Sequence, residues 1–396
     1  MLSLDKVFNA QTVLKNIVRE TKLVRAYGIA PDCELYLKPE NLQITGSFKV
    51  RGSAYKIAML TDEEKKKGVI ACSAGNHAQG VALAATKNGI KSLICLPDSA
   101  PISKVEATKG YGAEVCLVEG CYDDAYQKAL ELRDSEGYTF VHPFDDENVI
   151  AGQGTIALEI LNDLDNIDAI VVPIGGGGLI SGIAYTAKQI RPSIKIYGVQ
   201  AAGAPSMYNS VKDGEIERLS SVSTIADGIA GKQPGENTYA LVKEYVDEIA
   251  LVTDDEVSSA ILALIEKQKM IAEGAGAVAV AAVMFGKFNF KNKRVVAVVS
   301  GGNIDVTSLS RVIDRGLLKS GRSSSLLIEL IDKPGQLKEI SRIIADCGGN
   351  VTGVHYEKGD TESVNGCFLR IEMETRDFEH VNLITKTLRD EGFKLV

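Results

Sequence analysis

One lysine in this chain stands in surroundings that can make it reactive. Gly46 to Tyr55 reads GSFKVRGSAY, so Lys49 lies between aromatic Phe48 and apolar Val50, with Ser47 and glycines close by. An ammonium held out of water gives up its proton more readily and becomes a nucleophilic amine that condenses with carbonyl carbons. A solvated lysine in a short motif is the ordinary alternative, so three further segments decide between them. CSAGNHAQG, Cys72 to Gly80, follows the apolar run VIAC and opens a helical stretch. Its Ser73, Ala74, Gly75, Asn76 and His77 fall where unpaired N–H groups at a helix start attract an anion, here a carboxylate. A plain N-cap by Ser or Asn is the simpler, compatible reading. IGGGGLISG, Ile174 to Gly182, follows AIVVPI. Gly175, Gly176, Gly177 and Gly178, with Leu179 after them, let the backbone wrap a phosphate without Cβ atoms in the way. The segment is neither G-x-G-x-x-G nor a P-loop, since no G-K-[ST] follows. SGGN, Ser300 to Asn303, ends the run VVAVVS. A serine there can meet the edge of a heteroaromatic ring, or simply belong to a turn.

Elements that position these residues follow from hydrophobic periodicity. From Val69 to about Leu318, short apolar runs (GVIACS, SLICLP, AEVCLV, DAIVVPI, IKIYGVQA, RVVAVVS) alternate with helical stretches such as HAQGVALAATKNG and ISKVEATKGYG. Continuous apolar strands between helices predict an α/β fold with a parallel sheet covered on both faces. Ligands in such sheets sit at the carboxyl ends of strands, and each motif except the lysine follows one of these runs. After Arg315 the texture changes. GLLKSGRSSS reads as a linker. Then come SLLIELI, DKPGQLKEISRIIADCGG, NVTGVHYEK and GCFLRIEMET around a polar turn, FEHVNLITKTLRDEG, and FKLV. That order predicts βαββαβ, a ferredoxin-like plan.

Composition bounds the rest. The 396 residues carry 44 basic and 52 acidic side chains, a net charge of −8, with 24% charged and 45% hydrophobic residues. The length calls for two or three domains, and the acidic balance argues against nucleic acid or an anionic membrane as partner. The start, MLSLDKVFNAQ, has no basic region followed by an apolar stretch, so no signal peptide is expected. The uncharged run from Ala169 to Ala187 contains Pro173 and four glycines and reads as strand, turn and helix start rather than a membrane span. Seven cysteines lie scattered without C-x-x-C or zinc-type pairing, which fits a reducing cytoplasm and no metal site. Cys72, inside an apolar strand, reads as inert core, and His142 and His355 as structural.

The four segments together supply a reactive amine, a carboxylate loop, a phosphate cup and a ring-nitrogen partner, the parts needed to use pyridoxal phosphate. In this order they resemble the fold-type II pyridoxal-phosphate family, in particular its threonine dehydratase (threonine ammonia-lyase) branch. In the tail, DKPGQL and GGNVTGV resemble a single ACT domain. The resemblance covers essentially the whole chain. It implies a tryptophan-synthase-β-like catalytic domain over residues 1–318 with a smaller subdomain at roughly 45–150, a linker at 319–324, and an ACT domain over 325–396. It further implies that Lys49 binds pyridoxal phosphate covalently and removes the substrate α-proton. Phe48 then lies against the ring, Asn76 bonds the ring oxygen, Gly175 to Leu179 hold the phosphate, and Ser300 faces the ring nitrogen. Ser73 to His77 would hold the substrate carboxylate.

The implied activity is that of a carbon–nitrogen lyase taking L-threonine to 2-oxobutanoate and ammonia, with side activity on L-serine. A missing methyl discriminates by only about 1–3 kcal/mol. Serine dehydratase and serine racemase are the alternatives on the same fold. The racemases carry a serine where this chain has Ala74, which argues against racemisation. The tail implies an amino-acid or nucleotide effector near Gly335, Leu337, Asn350 and Val351, or a module for assembly alone. A cytoplasmic homodimer or homotetramer is the expected form.

Overall fold

The run AIVVP at Ala169–Pro173 is buried at every position, as a strand sheathed by helices on both faces requires. It is the center of a computed structural model that describes residues 2–357 and 365–396. The chain divides into two units, Met1–Val306 and Thr307–Val396. The first holds ten strands: β1 (Val24–Arg25), β2 (Glu34–Pro39), β3 (Val69–Cys72), β4 (Ser92–Pro97), β5 (Glu114–Val118), β6 (Thr139–Phe140), β7 (Ala169–Pro173), β8 (Lys195–Ala201), β9 (Glu248–Val252) and β10 (Arg294–Val299). They form two sheets. The larger has order β1-β2-β10-β7-β8-β9 and the smaller β5-β4-β3-β6. All pairings are parallel except that of the edge strand β1 with β2.

Helices cover these sheets as the sequence pattern requires. Ile170, Val172, Ile196, Val296 and Val298 of the larger sheet share one core with Ile156 and Ile160 of helix Glu147–Asp163 and Ile180 and Ile183 of helix Gly178–Ile190. The smaller sheet packs Val69, Ala71, Ile94 and Leu96 against helices Lys49–Ala58 and Asn76–Lys87. Helix Gly274–Met284, GAGAVAVAAVM, has ten of its eleven residues buried. A helix apolar on every side belongs inside the protein. Among the described residues no helix is long and apolar enough to cross a membrane.

The second unit begins one residue into helix Val306–Lys319 and continues with β11 (Ser323–Ile331), helix Gln336–Asp346, β12 (Asn350–Glu357), β13 (Gly366–Glu374), helix Phe378–Asp390 and β14 (Lys394–Leu395). The sheet order is β12-β13-β11-β14, all antiparallel, which is the βαββαβ plan. Ile328, Ile371 and Met373 face Ile340, Ile343, Ile344, Ile384 and Leu388 of its helices. The polar turn expected between the strands β12 and β13 falls at 358–364, outside the described residues. GLLKSGRSSS departs from the linker expectation. It is helical to Lys319 and strand from Ser323, leaving Ser320, Gly321 and Arg322 between them. Its small residues serve close packing, since a Cβ at Gly321 would meet the Phe378 amide nitrogen at 2.5 Å.

Candidate active site

Three motifs follow the carboxyl ends of β3, β7 and β10, and a fourth is pulled to them. The chain ahead of Lys49 is fastened to the turn after β10. Phe48 N–H donates to the Ser300 carbonyl at 3.1 Å, and Gly302 N–H donates to the Gly46 carbonyl at 2.9 Å. Gly46 has φ +69°, and a side chain there would strike Asn303. Lys49 is then the first residue of its helix, where the dipole disfavours a cation. Its Nζ donates to the Pro143 carbonyl at 3.0 Å and lies 5.3 Å from the Phe48 ring center. Burial lowers its pKa from the usual lysine value to about 8, with the Glu273 carboxylate as partial counterweight.

The glycine turn is shaped by what surrounds it. Gly177 adopts φ +99° at the N-terminus of helix Gly178–Ile190. A Cβ at Gly176 would overlap the Phe144 ring, one at Gly178 would come to 2.9 Å of the Phe144 backbone, and one at Gly177 would come to 2.7 Å of Met207. Thr238 Oγ1 donates to the Gly176 carbonyl at 2.6 Å, which turns that acceptor aside. The backbone is therefore open on one side only, and the helix N-terminus behind it favours an anion.

At Ser73–Gly75 the expected side-chain cap is absent. Helix Asn76–Lys87 begins after Gly75 with no side-chain cap. Ser73 Oγ instead accepts from Gly75 N–H at 3.1 Å. His77 is a packed residue: its Nε2 pairs with the Val141 carbonyl at 2.8 Å and its Nδ1 lies 3.4 Å from Ser53 Oγ. Burial drops its pKa to about 3, so the ring is neutral. Only its backbone is free to serve an anion. Ser300 is buried and donates to the Ala275 carbonyl at 3.2 Å.

One cavity of about 800 Å³ is lined by Phe48, Lys49, Ser73 to His77, Gly175 to Leu179 and Ser300. Every residue expected at the catalytic center is thus brought together. Cys72 also touches the cavity, but burial pushes its thiol to about 12. His142 lines the cavity as well, and its Nδ1 accepts from Phe144 and Asp145 N–H groups; the ring builds the turn that carries Pro143 and Phe144. Residues not expected there include Glu273, Asn303, Phe144, Gln153, Lys104 and Asp227. Glu273 immediately precedes the buried helix GAGAVAVAAVM, and an acid in that place was the available signal.

The four effector positions of the second unit are not brought together within it. Gly335, with φ +97°, and exposed Leu337 stand at the start of helix Gln336–Asp346. Asn350 and Val351 open β12 after its far end, roughly 16 Å along at the helical rise per residue. Asn350 donates to Glu374 at 2.9 Å.

An amine of lowered pKa and an anion cradle facing one cavity on a two-sheet α/β frame define an enzyme that uses a phosphorylated carbonyl cofactor. The chain belongs to the family of pyridoxal-phosphate dependent enzymes, which it matches over residues 14–301. It is 48% identical to an L-threonine ammonia-lyase of Thermotoga maritima over 398 residues, covering 100% of this chain and 99% of that one. It is 42% identical to an L-threonine ammonia-lyase of Geobacter sulfurreducens, covering 99% and 98%. Among solved structures it resembles threonine deaminase isoform 2 of Solanum lycopersicum, with a TM-score of 0.75 and 39% identity over 80% of this chain and 90% of that chain. It also resembles maize serine racemase, with a TM-score of 0.75 and 34% identity over 80% and 98%.

Proposed function

We propose that this protein eliminates water and then ammonia from L-threonine, giving 2-oxobutanoate, with side activity on L-serine. The observation that carries the reading is the shared cavity of the Lys49 amine and the cradle at Gly175 to Leu179. The residues fit pyridoxal phosphate: the cradle accepts an anion only because no Cβ fills it, and Lys49 is the amine its aldehyde requires. Bound there, the cofactor supplies an electron sink for the substrate α-carbon. Lys49, held by the Pro143 carbonyl, takes the α-proton on Nζ once neutral. Ser73 and the uncapped N-terminus of helix Asn76–Lys87 hold the substrate carboxylate. Phe48 and Phe144 exclude water from one side of the cavity. Asn76 serves the ring oxygen. Ser300 would serve the ring nitrogen as a neutral hydroxyl by turning its hydrogen away from the Ala275 carbonyl, with no charge to keep a proton on that nitrogen.

Ala74 lines the cavity with a methyl group. It has no transferable proton, which favours elimination over racemisation despite the likeness to a racemase. The C-terminal unit supports an ACT assignment through its βαββαβ order and antiparallel sheet. We assign it the binding of an amino-acid or nucleotide effector, with Gly335, Leu337, Asn350 and Val351 meeting a shared ligand only across two copies in a cytoplasmic homodimer or homotetramer.

The test is turnover of threonine with detection of 2-oxobutanoate, and of serine with chiral analysis of what remains. Wild-type protein loaded with pyridoxal phosphate should release 2-oxobutanoate, and Lys49→Ala should lose both the visible absorbance of the bound cofactor and turnover. D-serine formed without any keto acid would sink the reading in favour of a racemase.

A further inference from the structure

Glu273 is a buried acidic side chain of the cavity wall that the proposed mechanism leaves without a task. It is 6% exposed. It stands at the N-cap of helix Gly274–Met284, yet its carboxylate does not cap that helix. Instead it accepts from Asn76 Nδ2 at 2.6 Å. Gly301 makes room for it, since a Cβ there would strike Glu273 Oε1. A carboxylate turned away from its own helix and buried beside a single amide is costly unless that contact serves a purpose.

The contact belongs to a chain of three side chains. Asn303 Nδ2 donates to the Thr45 carbonyl at 2.7 Å and to Asn76 Oδ1 at 2.8 Å. A carbonyl only accepts, so the Thr45 bond sets which end of the Asn303 amide points inward. That places the Asn76 oxygen against Asn303 and its NH2 against Glu273. One NH2 hydrogen goes to Glu273, and the second remains for the cavity.

We propose that Glu273 is a positioning residue, which with Asn303 fixes the Asn76 carboxamide so that its remaining N–H donor is presented to the ring oxygen of the cofactor. This rests on the reading of the cavity as a pyridoxal-phosphate site. The charged groups facing Glu273 are Asp227, Lys104 of helix Ile102–Gly110, and Lys49. Burial, then Asp227, raises its pKa to about 7, while the Asn76 bond and the two lysines oppose the rise. Protonated or not, its Oε1 accepts from Asn76, so the clamp survives across neutral pH.

Titration of each apoprotein with pyridoxal phosphate, with its melting temperature measured in parallel, tests this. Glu273→Gln keeps the acceptor and should bind within about threefold of wild type, whereas Glu273→Ala and Asn303→Ala should bind about tenfold more weakly or worse, one hydrogen bond's worth. Rescue by glutamine is the result a merely space-filling role does not give. Wild-type affinity in Glu273→Ala, or a Glu273→Gln protein that binds no better than Glu273→Ala, would overturn the proposal. Should Glu273→Ala fail to fold, Asn303→Ala decides by the same criterion. Wild-type protein that takes up no cofactor would overturn the functional reading, and this inference with it.

Discussion

Lys49 and Arg51 are two residues apart on one helix, and the fold treats their charges in opposite ways. Arg51 is buried and fully answered. Its guanidinium meets Glu40 through two bonds of 2.8 Å and Glu159 through bonds of 2.6 and 2.8 Å, with Thr155 at 3.2 Å. Lys38, also buried, adds a 2.5 Å pair to Glu159. Burial opposes the Arg51 charge, but Glu40 and Glu159 more than offset it, so its proton is held more tightly than usual. Lys49 meets one carbonyl oxygen and a more distant carboxylate, and its proton is loosened. A charge that serves structure is paired, and one that serves chemistry is left short of partners.

The largest test of this contrast removes the unpaired partner. Lys49→Ala should cut turnover by about 10³-fold or more, the scale of losing a general base together with the cofactor anchor, while the melting temperature holds or rises. Turnover retained above a tenth of wild type would erase the distinction. Arg51→Met should do the reverse damage. It leaves Glu40 without its guanidinium and Glu159 with Lys38 alone, and should cost about 3–5 kcal/mol in denaturant unfolding. Arg51→Lys should not restore it, because one ammonium cannot serve two forked carboxylates. Equal stability of Arg51→Met and wild type would show the network to be dispensable.

Smaller effects sharpen the picture. Gly176→Ala drives a methyl into Phe144 and should weaken pyridoxal-phosphate binding about tenfold, near 1.4 kcal/mol, measured by titration of the apoprotein. Unchanged affinity would mean the cradle tolerates a Cβ. The smallest expected signal is a pH dependence. Lys49 titrates near 8 when folded and near the ordinary lysine value of about 10.4 when unfolded. Between these values the unfolded chain binds more protons, so apoprotein stability should rise with pH through this window. Lys49→Met should flatten that rise, and an unaltered slope would place the loosened proton elsewhere.

Much of this was legible in the residues. The tetraglycine turn and the strands that feed the motifs are local features, whereas the residues at Ser73–Gly75 read equally as a plain N-cap, which the structure lacks. Backbone conformation and burial on both strand faces leave marks in composition that need no partner to be read. The expected linker misled because small polar residues look alike in an open segment and in a tight helix-to-strand turn such as Ser320–Arg322. His142 looked like a lone structural ring, and it is one, but the turn it builds carries the carbonyl that holds Lys49.

The chain's own pattern determined the class of fold, the order of elements and the residue types able to do chemistry, because periodicity, glycine freedom and helix ends act over a few residues. Tertiary structure alone decided that Lys49 would be desolvated and Arg51 neutralised, and that Glu273, Asn76 and Asn303 would meet across 197 and 227 residues of chain. Charges and hydrogen bonds between distant segments depend on which surfaces the folded backbone brings into contact and on how much water it leaves there. No local pattern records either.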